Sequence, residues 1–170
     1  MTAADVVFGA LGLVVLGAAV LVVTARNVIH AALWLVVCFG ALAGCYLLLT
    51  AEFVAWVQVL IYVGAIVVLL LFAAMLTRAP IGPSQDLDSG NRPAAVVVAL
   101  AVAVTFGTLL VQAFRTSYVD LHRVAGSGGG QPIGEAIFRN YVLPFEIASV
   151  LLLAALVGAI VLSRPEIGDR

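Results

Sequence analysis

Charged residues are scarce in this 170-residue sequence, and lysine is absent from it. Charged residues make up only 10% of the chain, whereas hydrophobic residues make up 64%. The mean hydropathy of +1.22 is far above that of a soluble domain, whose surface is largely polar. The scarcity of charge therefore excludes a soluble globular protein and indicates an integral membrane protein.

Side chains that bind metals or cofactors are also few. Cys38 and Cys45 are separated by two turns of one predicted helix, about 10 Å, so they cannot form a disulfide with each other. Two thiols are also too few for an iron–sulfur cluster, which needs about four ligands. His30 and His122 are expected on opposite sides of the membrane. The sequence therefore predicts no cofactor, no metal and no catalytic residue in this chain.

Five apolar stretches come close to the roughly 20 residues that a helix needs to cross the hydrocarbon core. They are residues 5–24, 28–49, 53–76, 94–114 and 143–163. No basic residue precedes the first stretch, as one would in a signal peptide, so we expect it to be retained. The sequence thus predicts an all-α membrane protein, with a single membrane domain over residues 1–170 and five transmembrane helices.

The arginines are unequally divided between the two sides of these helices. The larger group is Arg26, Arg78, Arg92, Arg164 and Arg170, and the smaller group is Arg115, Arg123 and Arg139. By the positive-inside rule, the N-terminus is outside, the C-terminus is cytoplasmic, residues 77–93 form a cytoplasmic linker and residues 115–142 an outer loop. The outer loop contains "GSGGGQPIG", which lacks the Lys-Ser/Thr ending of a phosphate-binding loop and predicts a flexible linker.

The third stretch contains polar residues within the segment "QVLIYVGAIVVLLLF". Gln58 and Tyr62 are four residues apart, so in an α-helix they share one face, which Ala65 and Leu69 continue. Polar side chains inside a membrane-spanning helix are energetically costly and are often functional. They either form hydrogen bonds that hold neighbouring helices together or border a polar, hydrated passage.

Gly64 also has two interpretations. A glycine permits close approach of another helix, and it also accommodates the extra residue of a π-bulge, a feature concentrated at functional sites. The sequence by itself leaves both open.

Glu52 and Glu146 are predicted near the outer ends of the third and fifth helices, the second just after Pro144. A carboxylate in the first turn of a helix is stabilised by the helix dipole, so each is either a helix cap or part of a proton path.

The segments "RNVIHAALWLVV", "AEFVAWVQVLIYVGAIVVLLLF" and "YVLPFEIASVLLLAALVGAIVL" together resemble the subunit J family of bacterial proton-pumping NADH-quinone oxidoreductase, respiratory complex I. This family is similar to mitochondrial NADH dehydrogenase chain 6. The most specific segment is "YVGAI", residues 62–66. The resemblance implies a multi-pass subunit of the bacterial cell membrane that has no redox centre. NADH, FMN, iron–sulfur clusters and quinone are then expected in partner subunits, and the neighbours are other small membrane subunits and antiporter-like pumps.

The resemblance also implies a π-bulge in the third helix at Tyr62, Val63 and Gly64, whose conversion to a regular helix switches a water chain. Tyr62 and Gln58 would then be polar points on the face that turns. Because Glu52 begins the helix that carries Tyr62, we favour the proton path over the cap for Glu52. Such a subunit couples quinone reduction to proton translocation. The alternatives are a scaffold that only holds neighbouring pump subunits, and a small independent channel or carrier.

Overall fold

The computed structural model describes residues 3–77, 92–117 and 126–164, and every regular element in these ranges is a helix. The elements are α1 (Ala3–Thr24), α2 (Val28–Leu48), α3 (Glu52–Val57), a π segment (Gln58–Val67), α4 (Val68–Leu76), α5 (Arg92–Phe114), α6 (Gly130–Asn140) and α7 (Val142–Leu162). The α3 helix, the π segment and α4 form one continuous third span.

Five helices in the described ranges are long and apolar enough to cross a membrane, which confirms the predicted all-α fold class. Each begins and ends within two residues of the range that the sequence predicted. Most of the predicted linker 77–93, together with His122, lies outside the described residues. The side of the membrane that each terminus faces stays a prediction.

Helix α2 begins and ends at residues whose hydrogen bonds set its bounds. The Asn27 side chain accepts a hydrogen bond from the Ile29 N–H at 2.9 Å, which caps the first turn. At the other end, the N–H groups of Thr50 and Ala51 donate to carbonyl oxygens in the last turn of α2, at 3.0 and 2.9 Å. These bonds form a Schellman motif, with Thr50 at φ 61° in the left-handed position where glycine is usual.

The core of the bundle is built from small side chains around α2, which packs against α1 and the third span. The buried apolar residues are Ala18, Ala32, Cys38, Ala43, Cys45, Ala55 and Val67. A Cβ atom at Gly44 would lie 3.1 Å from Leu11 Cδ1, so this glycine allows α1 to approach α2 closely. Small residues at helix contacts are typical of membrane bundles, where van der Waals packing drives association.

Two of the five long helices stand apart from this bundle. Within the described ranges, α5 packs against no other element, and α7 packs only against α6. Most of the side chains of both helices are exposed. The described residues thus leave most of the surface of α5 and α7 uncovered.

The outer loop differs from the flexible linker that its glycines predicted. Residues 126–129 form turns, and Gly130–Asn140 is the helix α6, which packs against α3 and α7. The apolar side chains of α6 include Phe138, whose ring meets that of Phe145 edge to face at 5.4 Å. The polar residues Gln131, Glu135 and Arg139 recur every four residues, so α6 is amphipathic. The composition did not predict this helix because glycine-rich segments usually form flexible linkers.

Candidate functional site

The third span changes its backbone hydrogen bonding in its middle. Residues Gln58–Val67 form a π-helix of 10 residues between the α-helical segments α3 and α4. The π-helix is rare, usually occurs as a single turn and concentrates at functional sites. The segment includes Tyr62, Val63 and Gly64, where the resemblance implied a π-bulge.

The π segment changes which side chains face the rest of the bundle. In an α-helix the residue after Gln58 on the same face is four positions on, which is Tyr62. In a π-helix the backbone bonds join residues i and i+5, so each turn contains one more residue than a turn of an α-helix. The residue five positions after Gln58 is Val63, and its side chain is half-buried. The line of buried and half-buried residues runs through Ala55, Gln58, Val63, Val67 and Leu71.

The predicted stripe of Gln58, Tyr62, Ala65 and Leu69 is not uniformly buried in this structure. Gln58 is only 6% exposed, whereas Tyr62 is 43% and Leu69 is 69% exposed. The prediction assumed α-helical spacing throughout, whereas the buried and half-buried residues that follow Gln58 are Val63, Val67 and Leu71. The two polar groups thus differ in burial, and Tyr62 keeps a contact with α2 through Phe39.

Tyr62 has an aromatic neighbour that sequence reasoning missed. The rings of Phe39 and Tyr62 meet edge to face, with centroids 5.2 Å apart and planes at 60°. Phe39 precedes Thr50 by the same number of residues by which Tyr62 follows Ala51, and helices joined by so short a connection run antiparallel. Counting outward from the connection would have placed these two rings at one height.

Gly64 faces no other helix of the described chain. The nearest atom to a Cβ built on Gly64 would be the carbonyl oxygen of Val59, five residues earlier in the same helix, at 3.4 Å. The close approach of a second helix, which is one interpretation of this glycine, is not observed within this chain. The relevant crowding comes instead from the π-helical backbone itself.

The two glutamates occupy different positions in their helices. Glu52 is exposed and lies in the first turn of α3, as predicted. Helix α7 begins at Val142, so Glu146 lies in its second turn, with Pro144 inside the first. The dipole effect falls off within the first turn, so this position does not favour the helix-cap alternative for Glu146. Pro144 is tolerated there because first-turn N–H groups have no intrahelical acceptor.

The remaining candidate ligands lie apart from the π segment. Cys38 and Cys45 are buried thiols, not joined in a disulfide, and the Cys38 S–H donates to the Val15 carbonyl oxygen at 3.6 Å. His30 is exposed near the start of α2. Over the described ranges, the structure brings together no group of three His, Cys, Asp or Glu residues that could hold a metal.

Comparison with known proteins shows which family this chain resembles. Residues 18–162 match the family described as NADH-ubiquinone/plastoquinone oxidoreductase chain 6. The F(420)H(2) dehydrogenase subunit J of Methanosarcina mazei is 43% identical over 173 residues, covering 96% of this chain and 92% of that protein. The NAD(P)H-quinone oxidoreductase chain 6 of Nostoc sp. is 40% identical, covering 94% of this chain and 78% of that protein. The Leptolyngbya boryana protein of the same name is 44% identical, covering 94% and 79%.

Proposed function

The chain belongs to the NADH-ubiquinone/plastoquinone oxidoreductase chain 6 family, and on that basis we propose that its third span is a two-state element that couples quinone reduction to proton translocation. The chain is a membrane subunit of NADH-quinone oxidoreductase, complex I. The observation that carries the proposal is the π segment Gln58–Val67, which interrupts the third span at its polar residues. Each state of such an element presents a different face to its neighbours.

The exchange of faces follows from helix geometry. When the π segment converts to an α-helix, the extra residue of its wide turn is taken up into regular helix. The rest of the span, including α4, then rotates by about 100° about the helix axis. Tyr62, four residues after Gln58, would then replace Val63 as the next residue on the face of Gln58. The π state presents the apolar side chains of Val63, Val67 and Leu71 along this face, and the α state presents a phenol. A water chain along the span would accordingly be interrupted in one state and connected in the other.

A proton path along this span would run from Glu52 past Gln58 to Tyr62. At 1.5 Å per residue, Glu52 and Tyr62 are about 15 Å apart along the axis, so direct transfer is excluded and water must connect them. In this path Glu52 exchanges the proton, and Gln58 and Tyr62 orient the water. Glu146, which lies in the second turn of α7, is a second candidate for a proton-exchanging group.

The chemistry of electron transfer belongs to partner subunits in this proposal. NADH or a related donor, FMN, iron–sulfur clusters and quinone would bind there, and this chain would contribute the switch without a redox centre. Its partners are other membrane subunits, including small neighbours and antiporter-like pumps. We place the complex in a bacterial cell membrane, with the N-terminus of this chain outside and its C-terminus in the cytoplasm.

The Gly64→Val substitution tests the switch. A Cβ at this position would lie at the limit of ordinary contact with the Val59 carbonyl oxygen, so the additional Cγ atoms of valine crowd the π backbone. A bias of about 1.4 kcal/mol changes the ratio of two states tenfold. We expect assembled complex with reduced quinone-linked turnover and proton pumping, and with unchanged oxidation of NADH by an artificial acceptor.

Two variants serve as controls for Gly64→Val. Gly64→Ala adds only the Cβ that the structure accommodates, and Gly107→Val adds the same side chain to α5, where a Cβ meets nothing within 4 Å. Both should retain pumping, measured on membranes with matched amounts of assembled complex. Full quinone reductase activity and full pumping in Gly64→Val would refute the switch.

The scaffold hypothesis is the second candidate, and the isolation of α5 and α7 favours it. Helices that pack against so little of their own chain are suited to hold other subunits. A pure scaffold predicts that Gly64→Val either lowers the amount of assembled complex or changes nothing. Normal assembly with a lower proton-to-electron ratio would distinguish the switch from the scaffold. An independent channel or carrier would instead transport as a homo-oligomer without partner chains.

A further inference from the structure

The first turn of α3 is capped by a distant segment of the chain. The N-cap residue is Ala51, which has no side-chain acceptor, and no side-chain cap is present. The N–H groups of a first turn need acceptors from outside the helix. The Phe53 N–H donates to the carbonyl oxygen of Gly128 at 2.9 Å. The outer loop thus supplies the acceptor that the local sequence of α3 lacks.

The same segment lies directly against the α2–α3 connection. A Cβ atom at Gly128 would overlap the carbonyl oxygen of Thr50 and would lie 2.9 Å from the Cα of Ala51. No side chain fits at this position, so the contact requires glycine. A Cβ at Gly130 would lie 3.8 Å from the Phe53 ring, so the following residue is close to α3 as well.

The segment has a defined turn geometry. Gly126 has φ 86°, in the left-handed region that favours glycine, and its carbonyl oxygen accepts a hydrogen bond from the Gly129 N–H at 3.3 Å. We name residues Gly126–Gly130 the glycine turn. It leads directly into α6, which itself packs against α3.

We propose that the glycine turn anchors the Glu52 end of the third span, so that a change in the π segment rotates α4 and leaves α3 in place. This inference rests on the proposed switch. Loss of one inserted residue rotates the two ends of a helix relative to each other by about 100°, and the end with fewer attachments moves. Helix α3 is held by the short connection to α2, by Gly128 and by α6, whereas α4 packs only against α2 and the π segment over the described residues.

Two probe positions report which end moves. Trp56 in α3 and Met75 in α4 are 65% and 73% exposed, so replacing either one removes little packing within the chain. An environment-sensitive fluorescent amino acid is incorporated at position 56 or 75 of the assembled complex by amber suppression. Its emission is compared at rest and during turnover with NADH and quinone. We expect the emission to shift at position 75 and to stay constant at position 56.

Gly128→Ala removes the anchor, and Gly134→Ala is the matched control. Position 134 lies in α6, where a Cβ meets nothing within 4 Å. Loss of a helix cap shifts a local equilibrium by about fivefold, so Gly128→Ala should let position 56 respond to turnover. The number of protons pumped per quinone reduced should fall, while NADH oxidation by an artificial acceptor is retained. Gly134→Ala should behave like the unchanged protein.

A milder variant covers the case in which Gly128→Ala does not assemble. A Cβ at Gly129 would lie 3.3 Å from the Gly126 carbonyl oxygen, so Gly129→Ala shifts the turn slightly without meeting Thr50. It should produce the same pattern at smaller amplitude. An emission shift at both positions in the unchanged complex, or constant emission at position 56 in the assembled variants, would overturn the anchor. Constant emission at both positions in the unchanged complex would instead overturn the switch itself.

Discussion

At the scale of single residues, the two polar groups of the third span occupy different environments. Gln58 is buried, and Tyr62 stays 43% exposed with its ring edge to face with Phe39. A buried amide needs hydrogen-bonding partners in an apolar medium, and an exposed phenol is available to water or to another subunit. In the proposed switch, conversion of the π segment to an α-helix would change the position of Tyr62 relative to Gln58.

The carboxylate of Glu52 is the residue-scale test of the proton path. Glu52→Gln keeps the size of the side chain and removes its charge, so we expect a lower proton-to-electron ratio with retained assembly. Glu52→Asp keeps a negative charge in the first turn of α3 and should retain pumping. Proton uptake and quinone reduction would be measured together on inverted vesicles. A normal proton-to-electron ratio in Glu52→Gln would show that Glu52 is only a charge at the helix end and not part of the proton path.

At the scale of elements, the ends of the helices are set by three different kinds of cap. A local side chain, Asn27, caps the start of α2, and a Schellman motif through Thr50 closes its end. The start of α3 depends on Gly128, far away in the sequence. Local caps follow from neighbouring residues, whereas the cap on α3 forms only when the loop docks.

Replacement of Asn27 tests the local cap. Asn27→Ala removes the acceptor for the Ile29 N–H, and loss of such a cap costs about 1 kcal/mol. Hydrogen exchange of the first-turn amides of α2 should become about fivefold faster in the assembled complex. Asn27→Asp keeps the acceptor oxygen and should retain the original exchange rate. Equal rates in all three proteins would show that this hydrogen bond does not hold the first turn.

At the scale of the whole molecule, the described residues form a three-span bundle and two spans outside it. Helices α1 and α2 and the third span pack together, while α5 and α7 stand apart in the described structure. The bond from Phe53 to Gly128 places the glycine turn and the α2–α3 connection at one end of the bundle. The arginine distribution predicts that this end is outside.

Cysteine labelling tests that orientation. Ser127→Cys, in the glycine turn, should react with an impermeant thiol reagent added from outside the cell. Ser84→Cys, in the predicted cytoplasmic linker beyond the described residues, should react only after the membrane is opened. The cysteines of this chain are buried, so background labelling from it should be low. Reversed accessibility would invert the topology and leave the five helices unchanged.

The sequence by itself determined the five spans, their bounds to within two residues and the family. These follow from local properties, since apolar length decides whether a segment crosses the membrane and "YVGAI" is a contiguous motif. Gly64 by itself left the π-bulge as one of two interpretations, and the family resemblance favoured it, because bonding to residue i+4 or i+5 leaves no mark on composition.

Only the tertiary structure decided which faces of these helices meet. Three examples are the buried line through Gln58 and Val63, the contact of Phe39 with Tyr62 and the hydrogen bond from α3 to Gly128. Each depends on how the helices pack in three dimensions. Hydropathy cannot predict them because almost every side chain in these spans is apolar, so no contrast in polarity marks the packed face. The glycines of the outer loop resembled a linker for a related reason, since their close approach to Thr50 exists only after the chain folds.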